Sequence, residues 1–171
     1  MATLIVEDGT GLSNSNCYVS LADADQYHLD YEILAWNGSD DDKNSAILRA
    51  ARYMDTLRWK GERAHKRAQA MDWPRYGATD CDGTLIPSDE VPVEVVRANI
   101  ILAFYELNNQ DGLSPEVTLA QVVEREKVDV IEVEYRGQAV SVDSARPFIT
   151  GAMDEIRCLL LGGSGSFLKR A

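Results

Sequence analysis

The sequence predicts a mainly α-helical fold: a small bundle of about four helices with a long inter-helix loop and a small β-hairpin element. Three observations support this. Four stretches repeat apolar residues at helical spacing, the interval Gln69–Pro92 has no apolar periodicity, and two short runs alternate or turn back on themselves. Loops longer than about 12 to 15 residues are uncommon inside a compact domain and usually serve a function.

Residues 3–19 predict a terminal hairpin, with Leu4, Ile5 and Val6 going out, Cys17, Tyr18 and Val19 returning, and Gly9 and Gly11 supplying positive φ at the reversal. Such a short hairpin needs the body of the domain, or a neighbouring subunit, to cover it. Ser20 with Asp23 three positions later forms a variant capping box, predicting a helix over 21–32 that buries Leu21, Tyr27 and Tyr31 or their neighbours. Asn37-Gly38-Ser39 marks a turn. Asp40-Asp41-Asp42 then places negative charge where a helix dipole favours it, opening a helix over 41–60 with Ile47, Ala51, Met54 and Arg58 on one stripe.

After the long interval, Pro92 suits a first helical turn, and Val93, Val96, Ile100, Phe104 and Leu107 form the stripe of a central core helix that stops near Asn108-Asn109. From Lys127 to Val142 the period becomes two, with Arg136-Gly137 as the turn of a hairpin that returns through Gln138 to Val142. A last helix over 147–161 carries Ile149, Met153, Ile156 and Leu160. Residues 1–161 therefore form one domain and 162–171 a flexible tail, in which Gly162 to Ser166 tether Phe167-Leu168-Lys169-Arg170.

A chain of 171 residues with 45% apolar and 26% charged content fits one soluble domain, and no apolar run approaches the ~18 residues of a membrane span. The N-terminal residues lack the pattern of a signal peptide. The spacing of Cys17, Cys81 and Cys158 predicts free thiols in a reducing cytosol. A net charge of -11 opposes tight nonspecific binding to a phosphate backbone, while leaving room for a local basic patch.

No catalytic constellation stands out, so no enzyme activity, metal or cofactor is expected. Asp80-Cys81-Asp82-Gly83-Thr84 spells a phosphatase-like signature, but that chemistry needs a buried strand before it and Arg75 to Thr79 do not provide one. As a calcium loop its glycine comes too early, which leaves a turn with solvated carboxylates. His28 and His65 form no helix-spaced ligand pair. The one basic concentration is Arg58, Lys60, Arg63, Lys66, Arg67 and Arg75, interleaved with Trp59, Trp73 and Tyr76. It could bind single-stranded nucleic acid by phosphate contact and base stacking, pair with an acidic protein neighbour, or be a solvated helix end with its tryptophans in the core.

The run from Thr3 to His28, Arg58-Trp59-Lys60-Gly61, the block Gln69 to Arg75 and the stretch Ile86 to Pro92 together resemble the head-tail connector (adaptor) proteins of tailed bacteriophages, some of which are labelled DnaT-like single-stranded DNA-binding proteins. The resemblance implies a helical subunit of a homo-oligomeric ring, typically of about twelve copies, under the portal protein of the virion. The ring would extend the channel for double-stranded DNA and join a tail, stopper or tail-terminator protein, with no membrane involved and synthesis in the host cytoplasm. Trp73, Pro74 and Arg75 would brace the loop and contact partners, and Phe167, Leu168, Lys169 and Arg170 would dock on the portal or an adjacent subunit. Acidic clusters at 23–32, 40–42 and 124–134 could line a channel that must not grip DNA. The alternative is a DnaT-like accessory protein that binds single-stranded DNA through Arg58, Lys60, Arg63, Lys66 and Arg67. On the connector reading, the loop and both chain ends become ordered only against other protein surfaces.

Overall fold

The computed structural model describes residues 2–114 and 147–162, together with the backbone of 125–128 and 131–134. Among these the order is α1 (Leu21–Asp30), α2 (Asp40–Met54), β1 (Glu62–Arg63), β2 (Arg75–Tyr76), α3 (Val93–Asn108), β3 (Arg125–Val128), β4 (Ile131–Glu134) and α4 (Thr150–Ile156). The fold is mainly helical, as the sequence predicts, and α3 packs against both α2 and α4. Its buried face is Val95, Ala98, Asn99, Leu102, Ala103 and Glu106 beside Ile100, so the expected stripe sits at the margin and Val93 is exposed. Asn99 ties the centre together: its Nδ2 donates to the Ile47 carbonyl and its Oδ1 accepts from the Tyr18 amide.

Both predicted helix starts are built by their serines. Ser20 accepts from the Asp23 amide, and Ser39 and Asp42 make a reciprocal capping box. The first helix buries Ala24 and His28, whereas Tyr31 is exposed just past its end. The second stops at Met54, short of the expected residue 60. There the chain tightens into a turn, and the Trp59 indole donates to the Met54 carbonyl, satisfying one of the acceptors that a helix end leaves open. Arg58 thus lies off the helix, in a segment where Trp59 bridges Leu160.

The N-terminal segment is no hairpin. Val6 and Cys17 make an isolated parallel bridge, and the chain between them wraps around the buried Glu7 carboxylate, which accepts from the amides of Gly9, Gly11 and Leu12 and from Ser15 Oγ. Gly9 and Gly11 do have positive φ, 98° and 72°. A Cβ on Gly9 would lie 2.2 Å from the Asp89 carbonyl oxygen and one on Gly11 2.2 Å from His65, so this loop is pressed against the long excursion after α2. The two segments cover each other, with the Ala70 amide donating to the Leu12 carbonyl.

The strand 131–134 pairs antiparallel with 125–128, in register Val128↔Ile131, a partner the sequence reading did not foresee. Residues 138–142 and the tail residues Phe167, Leu168, Lys169 and Arg170 lie outside the described residues. Cys81 and Cys158 are joined in a disulfide with their Cα atoms 5.0 Å apart, contrary to the expectation of free thiols. Spacing along the chain could not reveal this, because the pairing depends on the fold bringing an exposed turn against the end of α4. Cys17 is free and buried, and burial pushes its thiol up to about 11.

Candidate nucleic-acid interface

The excursion from Asp55 to Pro92 is pinned at its base by the pairing of β1 with β2, Glu62 opposite Tyr76 and Arg63 opposite Arg75. Its centre is packed into the protein's own body. Trp73 is 0% exposed and stands edge-on to Trp59 at 5.8 Å, and the Trp73–Pro74 peptide is cis. The Tyr18 hydroxyl accepts from the amides of both Asp72 and Trp73. Burial first, then the negative fields of Asp55 and Asp72, push the Tyr18 phenol up, so it stays protonated. Gln69 Nε2 donates to the carbonyls of Met71 and Pro74, and its Oε1 accepts from the His65 amide.

Trp73, Pro74 and Arg75 therefore brace the loop from within, and none of them offers an open surface to a partner in the isolated chain. Arg75 spends its guanidinium on the carbonyls of Lys60, Gly61 and Asp72. This corrects the expectation that the excursion waits for another protein to order it, since its own residues supply the hydrogen bonds that a buried segment needs.

The basic candidates separate into two sets. Arg63 is tied to Asp72, with Nη2 2.6 Å from the carboxylate and Nε donating at 2.7 Å. Lys60 is half-buried, its amide donating to the Leu159 carbonyl. Arg58, Lys66 and Arg67 are exposed and make no ion pair among the described residues. Lys66 occupies a left-handed conformation, φ 54°, at the outer turn of the excursion. Trp59 and Trp73 are buried and cannot stack on bases, which leaves Tyr76, 70% exposed, as the accessible ring. Asp80 is used by its own turn, Oδ1 accepting from the amides of Asp82 and Thr84. Among the described residues no group of three His, Cys, Asp or Glu side chains gathers for a metal, and no helix is long and apolar enough to cross a membrane.

A concavity of about 600 Å³ was not anticipated. It lies between α1 and the start of α2 and is lined by Asp25, His28, Leu29, Ile33, Leu34 and Trp36 among others. His28 is 3% exposed, stacks on Trp36 at 4.5 Å, and has no hydrogen-bond partner for either ring nitrogen. Asp25 Oδ1 holds both Lys43 Nζ and the Trp36 indole. The sequence signal available was the apolar run Ile33-Leu34-Ala35-Trp36 in the inter-helix turn.

Burial lowers His28 to about 4, with Lys43 adding to the effect and Asp25 opposing it. Because the folded value lies below the unfolded one near 6.5, the unfolded chain alone takes up the proton between those limits. Stability from this group is complete above about pH 6.5 and falls by about 3 kcal/mol as the pH approaches 4. Urea unfolding at pH 7 and pH 4.5 should show that loss in the wild type and a smaller one in His28→Phe. An equal pH dependence in both proteins would refute it.

A search of curated proteins and a search of solved structures each found no match. A family model described as "Putative DnaT-like ssDNA binding protein" matches residues 2–171. The match spans the body, the excursion and the tail alike, and on that basis this chain belongs to that DnaT-like family.

Proposed function

We propose that the protein is a non-catalytic accessory factor that binds single-stranded DNA through the outer surface of the excursion. The observation that carries this reading is that Arg58, Lys66 and Arg67 stand exposed and unpaired among the described residues while Arg63 and Arg75 are consumed internally. Family membership supports it, and Tyr76 supplies a ring on which a base can stack. The net charge of -11 makes the contact local and strongly dependent on salt.

Three phosphate contacts imply a slope of about -2 in log affinity against log salt. Fluorescence anisotropy with a labelled oligothymidine should show that slope. Combined replacement of Arg58, Lys66 and Arg67 by alanine should weaken binding at least about tenfold at low salt and flatten the slope. Arg63→Ala should leave the slope largely intact, because that cation already has an internal partner. No measurable binding by the wild type at low salt would reject the reading.

A second reading, a ring-forming adaptor at the head-tail junction of a virion, is favoured by one observation. Leu29, Tyr31 and Leu34 are large, exposed apolar residues grouped around the end of α1. On this reading the protein joins the portal on one side and a tail or stopper protein on the other, and its acidity keeps passing double-stranded DNA off the wall. Electron microscopy of the protein mixed with its portal tests it: rings support the adaptor role, and their absence removes it.

A further inference from the structure

We infer, resting on the single-stranded DNA reading above, that Glu62 reads the Watson–Crick edge of the base stacked on Tyr76 and selects guanine. The two residues stand directly opposite each other in the pairing of β1 with β2, and directly opposed side chains leave the same face of a sheet with their Cβ atoms about 5 Å apart. The other opposed pair, Arg63 and Arg75, faces the body of the protein. Both guanidinium groups lie against the Asp72 carboxylate, at 2.6 and 3.8 Å, and Arg75 is buried. Alternation along the strands then turns Glu62 and Tyr76 outward, where both are exposed.

Two glycines shape this face. Gly61 lets the ribbon close, since a Cβ there would lie 2.4 Å from the Tyr76 carbonyl oxygen. Gly77, with φ 74°, follows the ring and has no described atom within 4 Å of where its Cβ would stand, so a base can approach beside Tyr76 without a clash. Glu62 forms no ion pair among the described residues. Its charge repels the phosphate backbone, which turns a base, and not a phosphate, toward it.

An ionised carboxylate only accepts hydrogen bonds. Guanine alone among the four DNA bases presents two adjacent donors on its Watson–Crick edge, N1–H and the N2 amino group, which match the two oxygens of one carboxylate. Cytosine and adenine set one amino donor beside an acceptor nitrogen, and thymine sets one N–H between two carbonyl oxygens. Each of these brings a lone pair against Glu62.

Competition anisotropy with the full chain compares an oligothymidine with the same oligonucleotide carrying one central guanine, a single guanine being unable to form a quadruplex. The wild type should bind the guanine oligonucleotide at least about tenfold more tightly. Inosine in that position, which lacks the N2 amino group, should lose most of the gain, and adenine should show little of it. In Glu62→Gln the amide donor meets the second donor of guanine, and the preference should shrink to within about twofold. Glu62 is exposed, so the melting curve of this variant should match that of the wild type. Equal affinity of the wild type for both oligonucleotides, an equal gain from adenine, or a preference that survives in Glu62→Gln would overturn the inference and leave the DNA reading standing. Failure of the wild type to bind any of these oligonucleotides would overturn both.

Discussion

Trp73→Ala is expected to lower the unfolding free energy by about 4 kcal/mol, among the largest effects of any single replacement. The residue is fully buried, faces Trp59, and lies where the excursion is fastened to the N-terminal segment through the Tyr18 hydroxyl. Removing it opens a cavity that the cross-linked surroundings cannot readily close. For a chain of this size the loss should appear as a fall of roughly 8 to 16 °C in Tm. Trp73→Phe should cost less than half as much, because it also removes an indole N–H that has no hydrogen-bond partner. Urea unfolding followed by far-UV circular dichroism is the suitable measurement, since the replacement alters fluorescence. A loss below about 1 kcal/mol in Trp73→Ala would mean that the excursion does not depend on this anchor.

Loss of the Cys81–Cys158 bond is expected to cost a similar amount. The two residues are 77 positions apart, and closing a loop of that length in the unfolded chain corresponds to about 4.5 kcal/mol on the chain-entropy account. The exposed turn around Cys81 has few apolar contacts of its own, so the bond to the end of α4 is its principal attachment. Calorimetry with and without reductant should show the loss in the wild type. Cys158→Ser should match the reduced wild type, and Cys81→Ser combined with Cys158→Ser should be no worse. Thiol titration of the native oxidised protein should find no fast-reacting group, because Cys17 is buried with its thiol pushed up to about 11. Indifference of the melting curve to reductant would show that the bond contributes little.

These two sites show where sequence reading succeeds and where it stops. The block Gln69 to Arg75 stood out in the sequence, but its lack of periodicity resembled an unsatisfied loop. In the structure the hydrogen bonds of that block come from Tyr18, Gln69 and Arg75 side chains, which follow no period and leave no pattern along the chain. The basic segment was likewise legible as a concentration of charge. Which of its cations are free was not, because that depends on Asp72 lying beside Arg63 and on Arg75 turning inward. The groove at His28 left almost no trace, since its walls come from a helix, a turn and the next helix.

Local features follow directly from neighbouring residues. Ser20 and Ser39 start their helices, Asn109 ends α3, and Gly9 and Gly11 permit the left-handed backbone, because each depends on chemistry within a few residues. The tertiary fold was needed for the anchoring of Asp72 and Trp73 on the Tyr18 hydroxyl, the bonds from Asn99 to Ile47 and Tyr18, and the bond between two distant cysteines. Each of these pairs groups that only the folded chain brings together, and the energy that selects them comes from burial and hydrogen bonding across that distance.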